Sequence, residues 1–176
     1  MVIKLSRGLF FICAGIVLSF FIVGSSNAAT QGEPNSSSNT YSIKAAALLG
    51  LINEDRESSG VSSLAHNSKL DISAAAKCQD MVLRKYWGHQ TPDGKTFDSY
   101  IVQAGYRSYR TLGENLAIGQ TGTAEVNADW LASPSHRDNI LNSDFKEAGI
   151  AVCVYPNYTP DNQPALLTVM HFAEPS

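Results

Sequence analysis

An apolar run over residues 9–24, broken only by Ser19, opens the chain behind the basic residues Lys4 and Arg7. It gives way to Ser25, Ser26, Asn27, Ala28 and Ala29. Basic, then apolar, then small is the order of a secretory signal peptide, with cleavage expected after Ala28 or Ala29. An uncleaved anchor is the competing reading, but the run is shorter than the ~20 residues a spanning helix uses. Cys13 lies mid-run and not at the cleavage site, which argues against lipidation there. Residues 30–41 are polar, with Gly32, Pro34 and Ser36, Ser37 and Ser38, and cannot build a core. The expected organisation is a signal peptide over 1–28, a flexible leader over 29–41 and one folded domain over 42–176.

Within that domain, Ser42 is placed to cap a first helix reaching about Ser59, with Ile43, Ala47, Gly50, Leu51 and Glu54 along one line and Gly60 ending it. Ser68 is placed to cap a second. Its stripe, Leu70, Ala74, Cys78, Met81 and Val82, repeats at helical spacing, and Gly88 follows its end. Thr91-Pro92-Asp93-Gly94 reads as a turn, since Pro presets one φ and Gly permits a positive one. A short helix over 97–104 ends at Gly105. Thr123 begins another, with Glu125 in its first turn and Val126 and Trp130 inward. Ser133-Pro134 opens a further helix to Leu141, with proline at the first helical position. Residues 148–155 and 166–172 are apolar and β-branched, so both read as strands of a closing hairpin. Helices first and a hairpin last predict α+β layers and not alternating βαβ units.

Composition narrows the function. The 176 residues are 44% hydrophobic and 16% charged, which excludes wholesale disorder. The net charge is −3, and without the first segment 11 basic residues face 16 acidic ones, a net of −5. No basic excess exists to neutralise phosphates, so nucleic acid is not an expected partner. An acidic chain is equally unsuited to anionic membranes, and no stable membrane anchor is expected after signal removal.

Signal removal leaves Cys78 and Cys153. In an oxidising compartment a lone pair usually bridges. Two separate buried thiols serving as apolar filler are the alternative. No Gly-x-Ser-x-Gly elbow, P-loop or dinucleotide fingerprint is present. A Cys78–Cys153 bridge would also remove the free thiol that a Cys-His protease needs.

Four histidines remain. His66 reads as a surface or turn residue. His171 lies in a strand whose neighbours Met170 and Phe172 face the other way, and reads as a packed histidine. Tyr86 and Trp87 read as core packing, with the rim of a cleft as the alternative. His89 lies in Trp87-Gly88-His89-Gln90-Thr91-Pro92-Asp93-Gly94, Glu114 in Gly113-Glu114-Asn115-Leu116-Ala117, and His136 in Ser133-Pro134-Ser135-His136-Arg137-Asp138-Asn139-Ile140-Leu141. Their gaps are long, so no local helix face fixes a metal.

These segments, in this order, resemble the bacterial branch of the CAP superfamily, the SCP or cysteine-rich secretory protein-like domains. Leu51-Ile52-Asn53-Glu54-Asp55-Arg56 with Gly60 and Leu64, the stretch 70–81 and Ala104-Gly105-Tyr106 extend the likeness over nearly the whole domain. The resemblance implies a three-layer α-β-α sandwich, usually secreted, so the protein is expected to be exported, to the medium, the periplasm or the cell envelope.

It also implies a central cleft that often carries two His and two Glu, with zinc on the histidines in some members. By motif, His89, Glu114 and His136 take three of those places, and His89 and His136 are the candidate metal ligands. Ser133 stands nearest the fourth place, so the tetrad is incomplete, which favours binding over catalysis. The leading reading is a binding module whose ligand is a small molecule, lipid, cell-envelope component or protein. The alternatives are a hydrolase using zinc-bound water with Glu114 as base, and an envelope protein in which the His–Glu–His cluster only ties loops together.

Overall fold

The computed structural model describes residues 43–176; the expected signal segment, the leader and Ser42 lie outside the described residues. In chain order the elements are α1 (Ala45–Ser58), β1 (Ala65–His66), α2 (Ser68–Arg84), α3 (Asp98–Gln103), β2 (Tyr109–Ile118), α4 (Thr123–Ala132), α5 (Pro134–Leu141), β3 (Glu147–Tyr155) and β4 (Ala165–Pro175). The strands form one sheet in the order β1-β3-β4-β2. β3 and β4 make the expected antiparallel hairpin, β2 pairs antiparallel on the far side of β4, and β1 runs parallel to β3.

Helices cover both faces. α1, α4 and α5 pack together on one side, and α2 and α3 on the other. The period-2 alternation of β4 serves both layers. Met170 and Phe172 join Leu48, Ile52, Trp130 and Phe145 in the core under α1, α4 and α5. Leu167 and Val169 join Ala74, Cys78 and Met81 under α2. These are the α+β layers that the order of elements predicts, arranged as the α-β-α sandwich that the resemblance implies. Among the described residues no helix is long and apolar enough to cross a membrane.

Local chemistry shifts several boundaries. Asn67, not Ser68, caps α2, its side chain accepting from the Lys69 N–H at 3.0 Å. Gly122 holds the cap position of α4, and the Thr123 hydroxyl instead accepts the Lys44 N–H at 3.0 Å. Ser133 and Pro134 open α5 as expected, although the Ser133 hydroxyl makes no cap bond. In the Thr91–Gly94 turn, the Gly94 N–H donates to the Thr91 carbonyl at 2.9 Å, with Gly94 at φ 83°.

The face of α1 differs from the expected one. Leu48, Ile52 and Arg56 are buried, while Ala47, Gly50 and Glu54 are exposed. The helix is apolar nearly all round at its start, so spacing alone does not choose a face. The cation at Arg56 is accommodated because its guanidinium donates to the carbonyls of Ser62, Ile140, Asn142 and Phe145 at 2.6 to 3.0 Å. Those bonds fix the end of α1 against the C-terminus of α5 and the loop that follows it.

α2 lies hard against β3. A Cβ on Gly149 would stand 2.2 Å from the Asp71 backbone nitrogen and 2.3 Å from the Leu70 carbonyl carbon, so only glycine fits this crossing. The Asp71 carboxylate accepts the Ile150 N–H at 2.8 Å. Further along, Cys78 and Cys153 are joined as a disulfide, with Cα atoms 6.3 Å apart and a sequence separation of 75. The two-thiol alternative is set aside.

Candidate functional site

β2 carries the site, and it is an edge strand not anticipated from the sequence because Gly113-Glu114-Asn115 interrupts its apolar pattern. Each of these residues has a local reason. A Cβ on Gly113 would meet the Phe145 ring at 2.7 Å, so its absence lets that ring pack on the strand and stack on Phe172. Asn115 turns toward α5. Its amide donates to the His136 carbonyl at 3.0 Å, and its oxygen accepts from Asn139 at 2.8 Å. Asn139 also donates to the Glu114 carbonyl at 3.2 Å. These bonds pin the start of α5, with His136, beside β2.

Glu114 turns the other way, under α2. Its side chain has no exposed surface, yet both carboxylate oxygens are engaged. Oε1 accepts from His89 Nδ1 at 2.7 Å, and Oε2 from His171 Nε2 at 3.1 Å. Burial raises the carboxyl pKa. Hydrogen bonds from His171 and His89, with the charges of His171 and Lys77, outweigh it and hold the group below the ordinary carboxylate range. Glu114 is therefore ionised at neutral pH.

His89 is the solvent-facing member, with 55% of its side chain exposed. Because an ionised carboxylate only accepts, His89 donates from Nδ1, and its Nε2 is the nitrogen available to a ligand. His136 is half-buried. Its pKa is lowered by desolvation first and by repulsion from His89 second, so the two rings share one electrostatic neighbourhood. Thus His89, from the loop after α2, and His136, from α5, approach the same edge strand from opposite layers, with Glu114 behind His89.

Three residues were not anticipated here. His171 is packed, as its strand position predicts, but it is also directly opposite Glu114 in the β2–β4 register and bonds to it. Ser73 on α2 meets the other side of the same ring, Ser73 Oγ to His171 Nδ1 at 2.7 Å. Lys77, one turn later and fully buried, donates to the carbonyls of Gly88 at 2.8 Å and His89 at 3.1 Å, and to the Tyr86 hydroxyl at 3.2 Å. The signal available in the sequence is their spacing: Leu70, Ser73, Lys77 and Met81 share one helical face, so two polar residues sit within an apolar stripe.

Other expectations resolve simply. Tyr86 is half-buried, and its hydroxyl donates to Asp80 at 2.7 Å. Trp87 is 47% exposed and is not core packing. His66 is exposed, as expected, and pairs with Asp71 at 2.5 Å.

A catalytic zinc centre normally uses three protein ligands. Among the described residues no group of three or more His, Cys, Asp or Glu side chains is arranged to hold a metal ion. The donor set here amounts to two imidazoles, His89 and His136. Glu114, with none of its side chain exposed, accepts from His89 on one carboxylate oxygen and faces His171 on the other.

Known proteins share this architecture. The YkwD protein of Bacillus subtilis is 39% identical over 104 residues, which are 58% of this chain and 40% of YkwD. The membrane protein YlbC of the same organism is 26% identical over 105 residues, 60% of this chain and 30% of YlbC. The chain therefore spans less than half the length of these curated relatives.

Among solved structures, an extracellular SCP-domain protein of Bacillus anthracis superposes with a TM-score of 0.62 at 22% identity. It covers 74% of this chain and 40% of its own. An outer surface protein of Borrelia burgdorferi gives 0.61 at 24% identity, covering 74% and 92%. The model of the cysteine-rich secretory protein family matches residues 49–172. That match takes in every residue of the cluster just described, and the chain belongs to the cysteine-rich secretory protein, or CAP, family.

Proposed function

We propose that this domain is an exported binding module whose ligand contacts His89 Nε2 and the neighbouring face of His136 across the edge strand β2. The observation that supports this is the contrast within one hydrogen bond: a fully buried carboxylate, Glu114, orients an imidazole that is more than half exposed. A buried charge costs several kcal/mol, roughly, unless it is well paired, and the pairing of Glu114 also fixes the ring it holds. It is an effective way to present one ring nitrogen in a fixed tautomer. Export is supported by the signal-like start of the sequence, by the disulfide, and by structural relatives that are extracellular or outer-surface proteins. The acceptor nitrogen suits ligands that bring a hydrogen-bond donor, whether a small molecule, an envelope component or a protein. A divalent metal held by two imidazoles is the second form the same donor set takes.

Zinc is a suitable probe of the paired imidazoles. Isothermal titration of the wild-type domain is expected to show binding that is lost in His89→Ala and in His136→Ala and kept in His66→Ala. Equal zinc affinity in the wild type and the double His variant, or none in either, would return the cluster to a tie between layers.

A further inference from the structure

We infer that His171 and Ser73 are positioning residues that lock Glu114, and through it set the His89 ring with Nε2 toward solvent. The inference rests on His89 being the presented group of the site.

The geometry carries it. Ser73 has a single hydroxyl proton and two partners, the Leu70 carbonyl at 2.8 Å and His171 Nδ1 at 2.7 Å. In the ring tautomer that carries its proton on Nε2, Nδ1 accepts, so the Ser73 hydroxyl donates to His171 Nδ1 while lying beside the Leu70 carbonyl. On the other side of the ring, Nε2 faces the ionised Glu114 Oε2 at 3.1 Å and donates to it. His171 has no exposed surface and lies 5.8 Å, centroid to centroid, from the Phe97 ring, so its plane is set by packing as well as by two hydrogen bonds. With Oε2 held this way, the carboxylate plane is fixed and Oε1 points to His89 Nδ1. The relay runs from α2 through β4 and β2 to the loop after α2. One link is the Ser73–His171 bond from α2 to β4, and one is a cross-strand pair. Neither link depends on the loop that carries His89.

The role predicts a spectroscopic signature that core packing alone would not move. Nitrogen-15 imidazole spectra of the wild-type domain are expected to show His89 protonated at Nδ1 and bare at Nε2. His171→Phe keeps ring volume but removes the donor, and is expected to shift His89 toward the mixed tautomers of a free imidazole. His171→Gln restores a donor toward Glu114 and is expected to restore the Nδ1–H signature. An unchanged His89 signature in folded His171→Phe overturns the inference. If His171→Phe fails to fold, Ser73→Ala decides, since it deletes one buried oxygen. There the His171 nitrogens are expected to move and the His89 Nδ1 line to broaden by exchange, and no change at either residue overturns the inference. Zinc titration of the same variants separates the two ideas. A lost tautomer without any zinc binding keeps the positioning role and removes the ligand role.

Discussion

Replacing Lys77 by methionine tests whether the His89 loop is held from inside the domain. The side chain keeps its length but becomes apolar in a site with no exposed surface, and loses its three donated bonds to Gly88, His89 and Tyr86. Bonds from a charged donor contribute about 1.5–3 kcal/mol each. Against their loss stands the desolvation cost of the ammonium, several kcal/mol, which the variant no longer bears. Two loop carbonyls and the hydroxyl then lack a buried donor, and ionised Glu114 loses a neighbouring cation. Breaking a buried charged arrangement from one side costs about 3–5 kcal/mol, and the lower end suits a case where the loop can reach water. For a domain of this size about 3 kcal/mol corresponds to a fall of about 10 °C in Tm. Calorimetry measures that fall, and amide exchange at residues 88–91 is expected to quicken in parallel. A loss below about 1 kcal/mol with unchanged exchange would refute the idea that Lys77 anchors the loop.

Cys153→Ser opens a bond that closes 75 residues, and the chain-entropy relation gives a loss of about 4 kcal/mol; chemical denaturation of the variant checks it, and an unchanged midpoint refutes it. Stability is also expected to fall with acid in two limbs. His136 has its pKa depressed below 6.5 in the fold, so the unfolded chain takes up its proton first and stability begins to fall below about pH 6.5. Glu114 is likewise depressed below 4.5, so its contribution is present above that value and is lost as pH falls further. Denaturation midpoints across pH should lose the upper limb in His136→Gln and the lower one in Glu114→Gln, and a flat profile from pH 7 to 5 in the wild type would contradict the first.

Different parts of the molecule were legible in the sequence to different degrees, for physical reasons. β3 and β4 announce themselves because their residues are mostly apolar and β-branched and both faces of their centres are covered. α2 does so because its stripe is narrow. β2 does not, since its centre is occupied by Gly113, Glu114 and Asn115, each spent on a tertiary contact and none on strand propensity. β1, two residues long, has no pattern to read. His89, Glu114 and His136 could be named from motif order, whereas His171 joins them only through the pairing of Glu114 with residue 171 across β2 and β4. Ser73 and Lys77 were visible as polar interruptions of an apolar face, but their partners come from a strand and a loop that local spacing does not reach.

α2 connects these features, and its fixings explain how an exposed histidine can be held to a definite geometry. The helix is tied at its first turn by the Asp71 bond to Ile150 and by the close crossing at Gly149, and at mid-length by the disulfide from Cys78 to β3. Between and beside those fixings stand Ser73 and Lys77, one turn apart. Ser73 acts through His171 and Glu114 on the His89 ring, and Lys77 acts on the His89 backbone. Ring and backbone of the same residue are thus referred to one helix, by separate routes. His136 is referred to β2 by Asn115 and Asn139, and β2 is referred to β4 by the pair that contains His171. The two imidazoles are therefore both referred to the sheet although they arise from opposite layers, and on the proposed reading a ligand that spans them would meet a spacing set by the sheet more than by the loops.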